Sequence, residues 1–190
     1  MLQEIIRKEL DIHVGMTIVR RARARVLQEI MGDHIVEYGK IFYYKDEILR
    51  SNSGSTCVVK VGEEDETGQK IFQGCYVCFH ALKKAFFGGA RRFIGFDGCF
   101  LKGVCKGQYL VEVCRDGNNQ MHPIVGAVVE VEKKFTWTWF LERMRNDLDL
   151  GEGHQLSIII DMQNGLQIIV QEVLPMVEQR KCARHVLANW

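Results

Sequence analysis

The chain has 190 residues, 47% of them apolar and 26% charged, enough for one domain with an appendage and for a core that removes roughly 70% of the unfolded surface from water without staples. Two prolines and no polar low-complexity tract exclude a disordered chain, and no apolar run nears the ~20 residues of a membrane span. Lys and Arg number 25 against 24 Asp and Glu, so the net charge of +1 identifies no nucleic-acid partner and only local clustering can.

Residues 1–50 read as helical. Val19, Ala22, Val26 and Ile30 recur at helical spacing, Gly32 can end that helix, and Arg20, Arg21, Arg23 and Arg25 lie off the stripe. The arginines read either as a solvated face or as a DNA-contacting one. A second helical stretch carries Tyr38, Ile41, Phe42, Lys45, Ile48 and Leu49 on one side. After the turn cluster 51–55, residues 57–61 and 71–79 read as strands around the polar loop 62–69, which holds Glu63, Glu64, Asp65 and Glu66. A short helix at 82–87 closes on Gly88-Gly89. Residues 1–89 are thus expected to form a leader of helices plus a hairpin.

Residues 90–190 have a different order. A strand at 92–96 ends in Asp97-Gly98. Strands at 108–114 and 122–131 flank Asp116-Gly117-Asn118-Asn119, and Asp-Gly is a preferred filling for a primed hairpin turn. An amphipathic helix at 135–148 places Trp137, Phe140, Leu141, Met144 and Leu148 on one stripe, with Arg143, Arg145 and Asp147 away from it. A strand at 156–160 ends in Asp161, a helix at 165–173 stops at Pro175, a strand spans 179–182, and 185–190 opens another helix. A hairpin makes the first three strands antiparallel, and a crossover helix brings the fourth in parallel to the first. That is the ribonuclease-H-like order, of which flavodoxin-like halves share some elements.

Two acids therefore stand at the ends of apolar strands. If those strands are neighbours, Asp97 and Asp161 converge into an oxygen-donor pair suited to Mg²⁺ or Mn²⁺ and to phosphodiester chemistry; the alternative is that each merely opens a turn. Lys83, Lys84, Arg91, Arg92, Lys102 and Lys106 flank the first of these strands with Asp97 as the one acid among them, a cluster that would draw a phosphate backbone. Cys75, Cys78 and His80 look like half a zinc site but read as buried thiols in a strand. Cys182 and His185 could supply two ligands without a second pair. No P-loop or nucleophile-elbow pattern occurs.

The segment Arg92-Phe93-Ile94-Gly95-Phe96-Asp97-Gly98-Cys99-Phe100-Leu101-Lys102-Gly103 resembles the first catalytic-strand motif of plant Mutator-like element (MULE) transposases. Residues 116–120 with Pro123 resemble that family's hairpin. Glu132 through Trp137-Thr138-Trp139-Phe140-Leu141 resembles its helix motif, and Asp161-Met162-Gln163-Asn164-Gly165-Leu166 its second acidic motif. Cys182-Ala183-Arg184-His185 with Asn189 resembles the C-x2-H motif that follows, and Tyr38, residues 52–56 and 72–87 resemble its leader.

The resemblance implies a leader at 1–89 and, at 90–190, an α/β ribonuclease-H-like core of the DDE transposase type with a mixed sheet, truncated before its end. It implies DNA cleavage and rejoining at transposon ends with Mg²⁺ or Mn²⁺ held by Asp97 and Asp161. The family's third acid, a later Glu, has no counterpart; Glu172 and Glu178 precede the C-x2-H motif and substitute poorly. Asn164 stands where the family commonly has Lys. Lys102, Lys106, Arg91 and Arg92 would contact DNA, and Cys182 and His185 would form a zinc-like or supporting pair, with no zinc expected in this chain. A nuclear location follows, no membrane partner is implied, and homo-oligomers are compatible with it. The rival readings are a domesticated, non-catalytic DNA-associated regulator or interaction module, and a gene remnant.

The seven cysteines are odd in number, and nothing in the charged first thirteen residues resembles a secretory signal. Thiol labelling under denaturing, non-reducing conditions should therefore find seven free cysteines; a stoichiometric disulfide would contradict the reading of a reducing compartment.

Overall fold

The computed structural model describes residues 2–31, 34–64, 66, 68–102, 105–161 and 165–188. Gly32, Asp65, Gly103, residues 162–164, Asn189 and Trp190, which figure in the sequence reading, lie outside them. The chain divides into two compact units, Met1–Ile41 and Phe42–Trp190.

The first unit holds α1 (Leu2–Leu10), α2 (Met16–Met31) and α3 (His34–Gly39). Of the stripe expected on α2, Val19 is buried while Ala22 and Val26 are exposed, as are all four arginines. One apolar residue per turn among four arginines is too sparse to bury a face. The expected second helical stretch is two helices, α3 and α4 (Ile41–Ser51), separated at Lys40. Of its predicted apolar side Ile48 is buried, whereas Phe42 and Leu49 stay exposed.

The second unit is mixed α/β, built on a seven-stranded mixed sheet. Its strands are β1 (Thr56–Glu64), β2 (Lys70–Cys78), β3 (Phe93–Phe100), β4 (Gln108–Arg115), β5 (Met121–Val129), β6 (Ser157–Ile160) and β7 (Glu178–Lys181). The order across the sheet is β1-β2-β5-β4-β3-β6-β7. Pairing is antiparallel from β1 through to β3, then parallel from β3 to β6 and β6 to β7. β1 and β2, which precede residue 89, and the five strands after it belong to one sheet, joined by β2 and β5 from Gly74↔Val129 to Cys78↔Val125.

Four helices follow or connect these strands: α5 (His80–Gly89), α6 (Lys134–Asp147), α7 (Leu166–Val173) and α8 (Ala183–Ala188). The α6 stripe is as its spacing predicts: Trp137, Phe140, Leu141, Met144 and Leu148 are all buried. Phe140 meets Phe96 of β3 and Tyr76 of β2 edge-on, at 6.3 and 6.0 Å between ring centres. One helix thus seals two strands that the order of the sheet sets three places apart, and α7 joins the same core through Leu166, Ile169 and Val170. On the opposite face, Tyr109, Val111, Val113 and Ile159 are only half-buried.

Two local expectations change. The β4–β5 connection is not a primed Asp-Gly turn. Asp116 Oδ1 instead accepts the amides of Asn118 and Gln120, both at 2.9 Å, and Asn119 takes the left-handed backbone at φ 67°. The Asp carboxylate captures the turn before glycine's freedom is needed. Asp147, expected on the exposed side of α6, is inside. Its carboxylate accepts from Tyr76 Oη (2.8 Å), Thr56 Oγ1 (2.6 Å) and Lys83 Nζ. Three donors offset both burial and an acid's unfavourable place at a helix C-terminus.

Glu112 is the unsatisfied group of the core. It stands on β4 between Phe96 and Val125, fully buried, and neither carboxylate oxygen has a partner. Burial pushes its carboxyl up to about 8, so the folded protein holds it as the neutral acid at neutral pH. In the unfolded chain it ionises from about 4.5. The folded state binds the extra proton between those values, so the contribution of Glu112 to stability is full below pH 4.5 and is lost as the pH rises to 8. Glu112→Met should remove that slope and raise stability by roughly 2–4 kcal/mol at the alkaline end. Urea unfolding of both proteins across this range checks it; parallel curves would show that Glu112 is solvated or paired.

Candidate active site

β3 alternates cleanly. Ile94 and Phe96 are buried against the α6 side, which turns Gly95, Asp97 and Cys99 to the other face. The strand does not stop at Asp97-Gly98, as the sequence suggests, but continues antiparallel to β4 through Asp97↔Val111 as far as Phe100↔Gln108. The pairing partners of β4 hold it extended where glycine would otherwise allow a turn. The parallel pairing with β6 is shorter and ends at Gly95↔Ile159. Asp97 therefore lies where β3 runs on past the end of its neighbour.

β6 itself is Ser157–Ile160, with Asp161 next in the chain. Were the pairing to continue two residues beyond Gly95↔Ile159, it would set Asp161 level with Asp97 on the same face. Neighbouring strands lie about 4.8 Å apart. The third parallel strand obeys the same register: Lys181 pairs with Ile160, and the amide of Cys182 donates to the Ile160 carbonyl at 2.9 Å. Asp161 and Cys182 thus each follow the end of a strand, while Asp97 lies within the neighbouring β3.

The Asp97 side chain is 55% exposed. Its Oδ1 accepts the Gly98 amide at 2.9 Å, and its Oδ2 lies 3.9 Å from a guanidinium nitrogen of Arg184 on α8. Asp161 is half-buried. His185 follows Arg184, with Nδ1 enclosed and unpartnered, and Cys182 is half-buried. Among the described residues no three His, Cys, Asp or Glu side chains converge as a metal cluster. Asp97, on β3, and Asp161, next after the neighbouring strand β6, are hard oxygen donors of the type that Mg²⁺ or Mn²⁺ takes.

Beside Asp97 the other face is braced by Glu132, in the loop between β5 and α6. Its Oε1 accepts the Trp137 indole N–H at 2.9 Å and its Oε2 the Gln108 amide N–H at 3.1 Å, while its own backbone amide donates to Gln108 Oε1. The carboxylate lies against Gly98, where a Cβ would meet it at 3.2 Å. One acid thereby joins α6, the start of β4 and the glycine after Asp97. Its signal in the sequence was only its place five residues before Trp137.

The basic cluster divides. Lys83 is drawn inside to Asp147, with only 14% of its side chain exposed. Arg91 and Arg92 are exposed at the beginning of β3, where Arg91 donates to the Gly117 carbonyl of the β4–β5 turn at 3.3 Å. Five residues of strand, about 16 Å, separate Arg92 from Asp97. Lys102 and Lys106 are exposed in the β3–β4 connection, at the Asp97 end. Cys75 and Cys78 alternate to opposite faces of β2, so the two thiols do not converge as half a zinc site requires. Glu172 and Glu178 are engaged elsewhere, with Lys134 at 2.9 Å and with Ser157 at 2.7 Å, the latter at the far end of β6 from Asp161.

The family model described as MULE transposase domain matches residues 93–189, half of the chain, from the first residue of β3 to just beyond α8. No curated protein matches the chain.

Removing the Glu132 carboxylate strands two buried donors at once. Glu132→Ala should cost roughly 2–4 kcal/mol and shift the Trp137 emission, whereas Glu132→Gln, which keeps an acceptor, should cost less. Chemical unfolding followed by tryptophan fluorescence checks the order; equal losses would show that the clamp contributes little.

Proposed function

The chain belongs to the MULE transposase family, and from that premise we propose that residues 90–190 are the ribonuclease-H-like core of a DDE-type DNA transposase, preceded by a leader at 1–89. The observation that supports this reading is the parallel β3–β6 register, Phe93↔Ser157 to Gly95↔Ile159, which carried two residues further would set Asp161 level with Asp97. The order β5-β4-β3-β6-β7, antiparallel up to β3 and parallel beyond it, also supports it, as that is the order of ribonuclease-H-like sheets.

In this reading Asp97 and Asp161 hold Mg²⁺ or Mn²⁺ between them. The ion, when bound, activates the attacking oxygen and stabilises the leaving one in phosphodiester cleavage and rejoining. Gly98 donates its amide to Asp97 Oδ1 and so fixes the carboxylate that would help to hold the cation. Lys102 and Lys106 hold the DNA backbone next to the acids, and Arg91 and Arg92 hold it at the other end of β3. Transposon-end DNA is the partner, and the nucleus is where it is met. Two carboxylates do not fill the shells of two ions, so this 190-residue chain is expected to bind metal and DNA without cutting.

Manganese titration tests the site. Asp97→Asn and Asp161→Asn should each weaken Mn²⁺ binding about tenfold or more, since affinity follows ligand charge. Equal binding by all three proteins would remove the metal from this edge. A supercoiled plasmid incubated with the chain and Mn²⁺ should remain unnicked; nicking abolished by both substitutions would show that these two acids suffice.

A further inference from the structure

Among the described residues, Arg184–Asp97 is one of two ion pairs between acidic and basic side chains that join distant segments with both side chains largely open; the other, Lys134–Glu172, is a close contact at 2.9 Å. The Lys83–Asp147 pair is closed, with 14% and 12% of the side chains exposed, and serves the core. The pairs Arg25–Glu29, Lys40–Glu37, Arg50–Glu47 and Arg180–Glu178 join residues two to four apart on the surface. Arg184–Asp97 joins distant segments, yet both side chains are largely open, at 75% and 55%. At 3.9 Å it is a charge contact rather than a hydrogen bond.

Its path crosses the candidate site. Arg184 follows the end of β7, Asp97 stands on β3, and β6 lies between those strands. A guanidinium reaching from one to the other must pass the end of β6, which is where Asp161 stands. Arg184 therefore reaches Asp97 across the strand that leads into Asp161.

We propose that Arg184 is the resident counter-cation of this acid pair, a positioning residue that a divalent ion displaces from Asp97 and that then turns to a DNA phosphate. The inference rests on the metal-site reading above. The guanidinium cannot lose its charge, so it and a metal ion exclude each other at one carboxylate oxygen. Because the pair is exposed and long, it is weak enough to exchange. Without the ion, Arg184 keeps two acids on one edge from repelling DNA. With the ion, its planar fork is free for phosphate oxygens, which it matches better than a lysine does.

The test compares wild type, Arg184→Gln, Arg184→Lys and Asp97→Asn by Mn²⁺ titration, reading the spin-resonance signal of free Mn²⁺. Arg184→Gln should bind Mn²⁺ about threefold to tenfold more tightly than wild type, with Arg184→Lys close to wild type. A merely structural arginine would give weaker or unchanged binding on removal. At saturating Mn²⁺, the salt dependence of binding to a fluorescein-labelled DNA duplex should be shallower for Arg184→Gln by about one unit of slope. Weakened binding by Asp97→Asn together with unchanged or weakened binding by Arg184→Gln overturns the inference and leaves the metal site standing, and identical salt slopes likewise overturn the phosphate role. Equal Mn²⁺ binding by wild type and Asp97→Asn overturns the site, and the inference with it.

Discussion

Where β6 stops along β3 is settled by helix α6. The chain must cross from the end of β5 to the beginning of β6, parallel to β3, and the helix that makes the crossing has an apolar stripe with only one sheet face to cover. Its two ends are fixed by different chemistry. At the beginning, Glu132 ties Trp137 to Gln108 and lies against Gly98. At the finish, Asp147 accepts hydrogen bonds from Tyr76, Thr56 and Lys83. With both ends fixed, β6 enters at Ser157 beside Phe93 and leaves two residues short of Asp97. Sliding β6 by one residue would turn Ile158 and Ile160 out of the core, a loss no surface contact could offset.

The same packing explains why acids can stand on this sheet edge. The α6 side of β3, β4 and β6 is dry and aromatic; the other side is half-open. Asp97 keeps most of its hydration and needs only the Gly98 amide and the distant charge of Arg184. Glu112, on β4 opposite Phe96 and so one residue out of register from Asp97, is on the dry side, fully buried and without a donor. Two carboxyl groups on neighbouring strands thus have opposite lives because alternation sends them to opposite faces. One stays available to ligands, and the other costs stability as the pH rises.

Charge on this protein likewise depends on place more than number. Six bases around β3 look like one patch when read along the chain. Folding pulls Lys83 into the core, leaves Arg91 and Arg92 beside the β4–β5 turn, and keeps Lys102 and Lys106 near Asp97. The base that comes nearest to Asp97 is Arg184, which lies far along the chain and belongs to none of the six.

The sequence by itself determined much of the second unit. Apolar runs and spacing located β1 to β6 and the stripe of α6, because burial on one face writes itself directly into the spacing of apolar residues; β7, Glu178–Lys181, carries no apolar residue. The sequence marked Asp97 and Asp161 as acids following apolar strands, and the stripe on α6 residue by residue. It failed where a residue's fate depends on partners remote in the chain. Asp147 and Lys83 look solvated until they meet, and Glu132 looks like a loop acid until Trp137 and Gln108 close on it. Asp97-Gly98 looks like a turn until β4 holds it straight, and Glu112 looks out of place in either setting. Only the tertiary structure decided these, because hydrogen bonds and ion pairs carry no period along a chain, whereas the hydrophobic face of a helix or strand does.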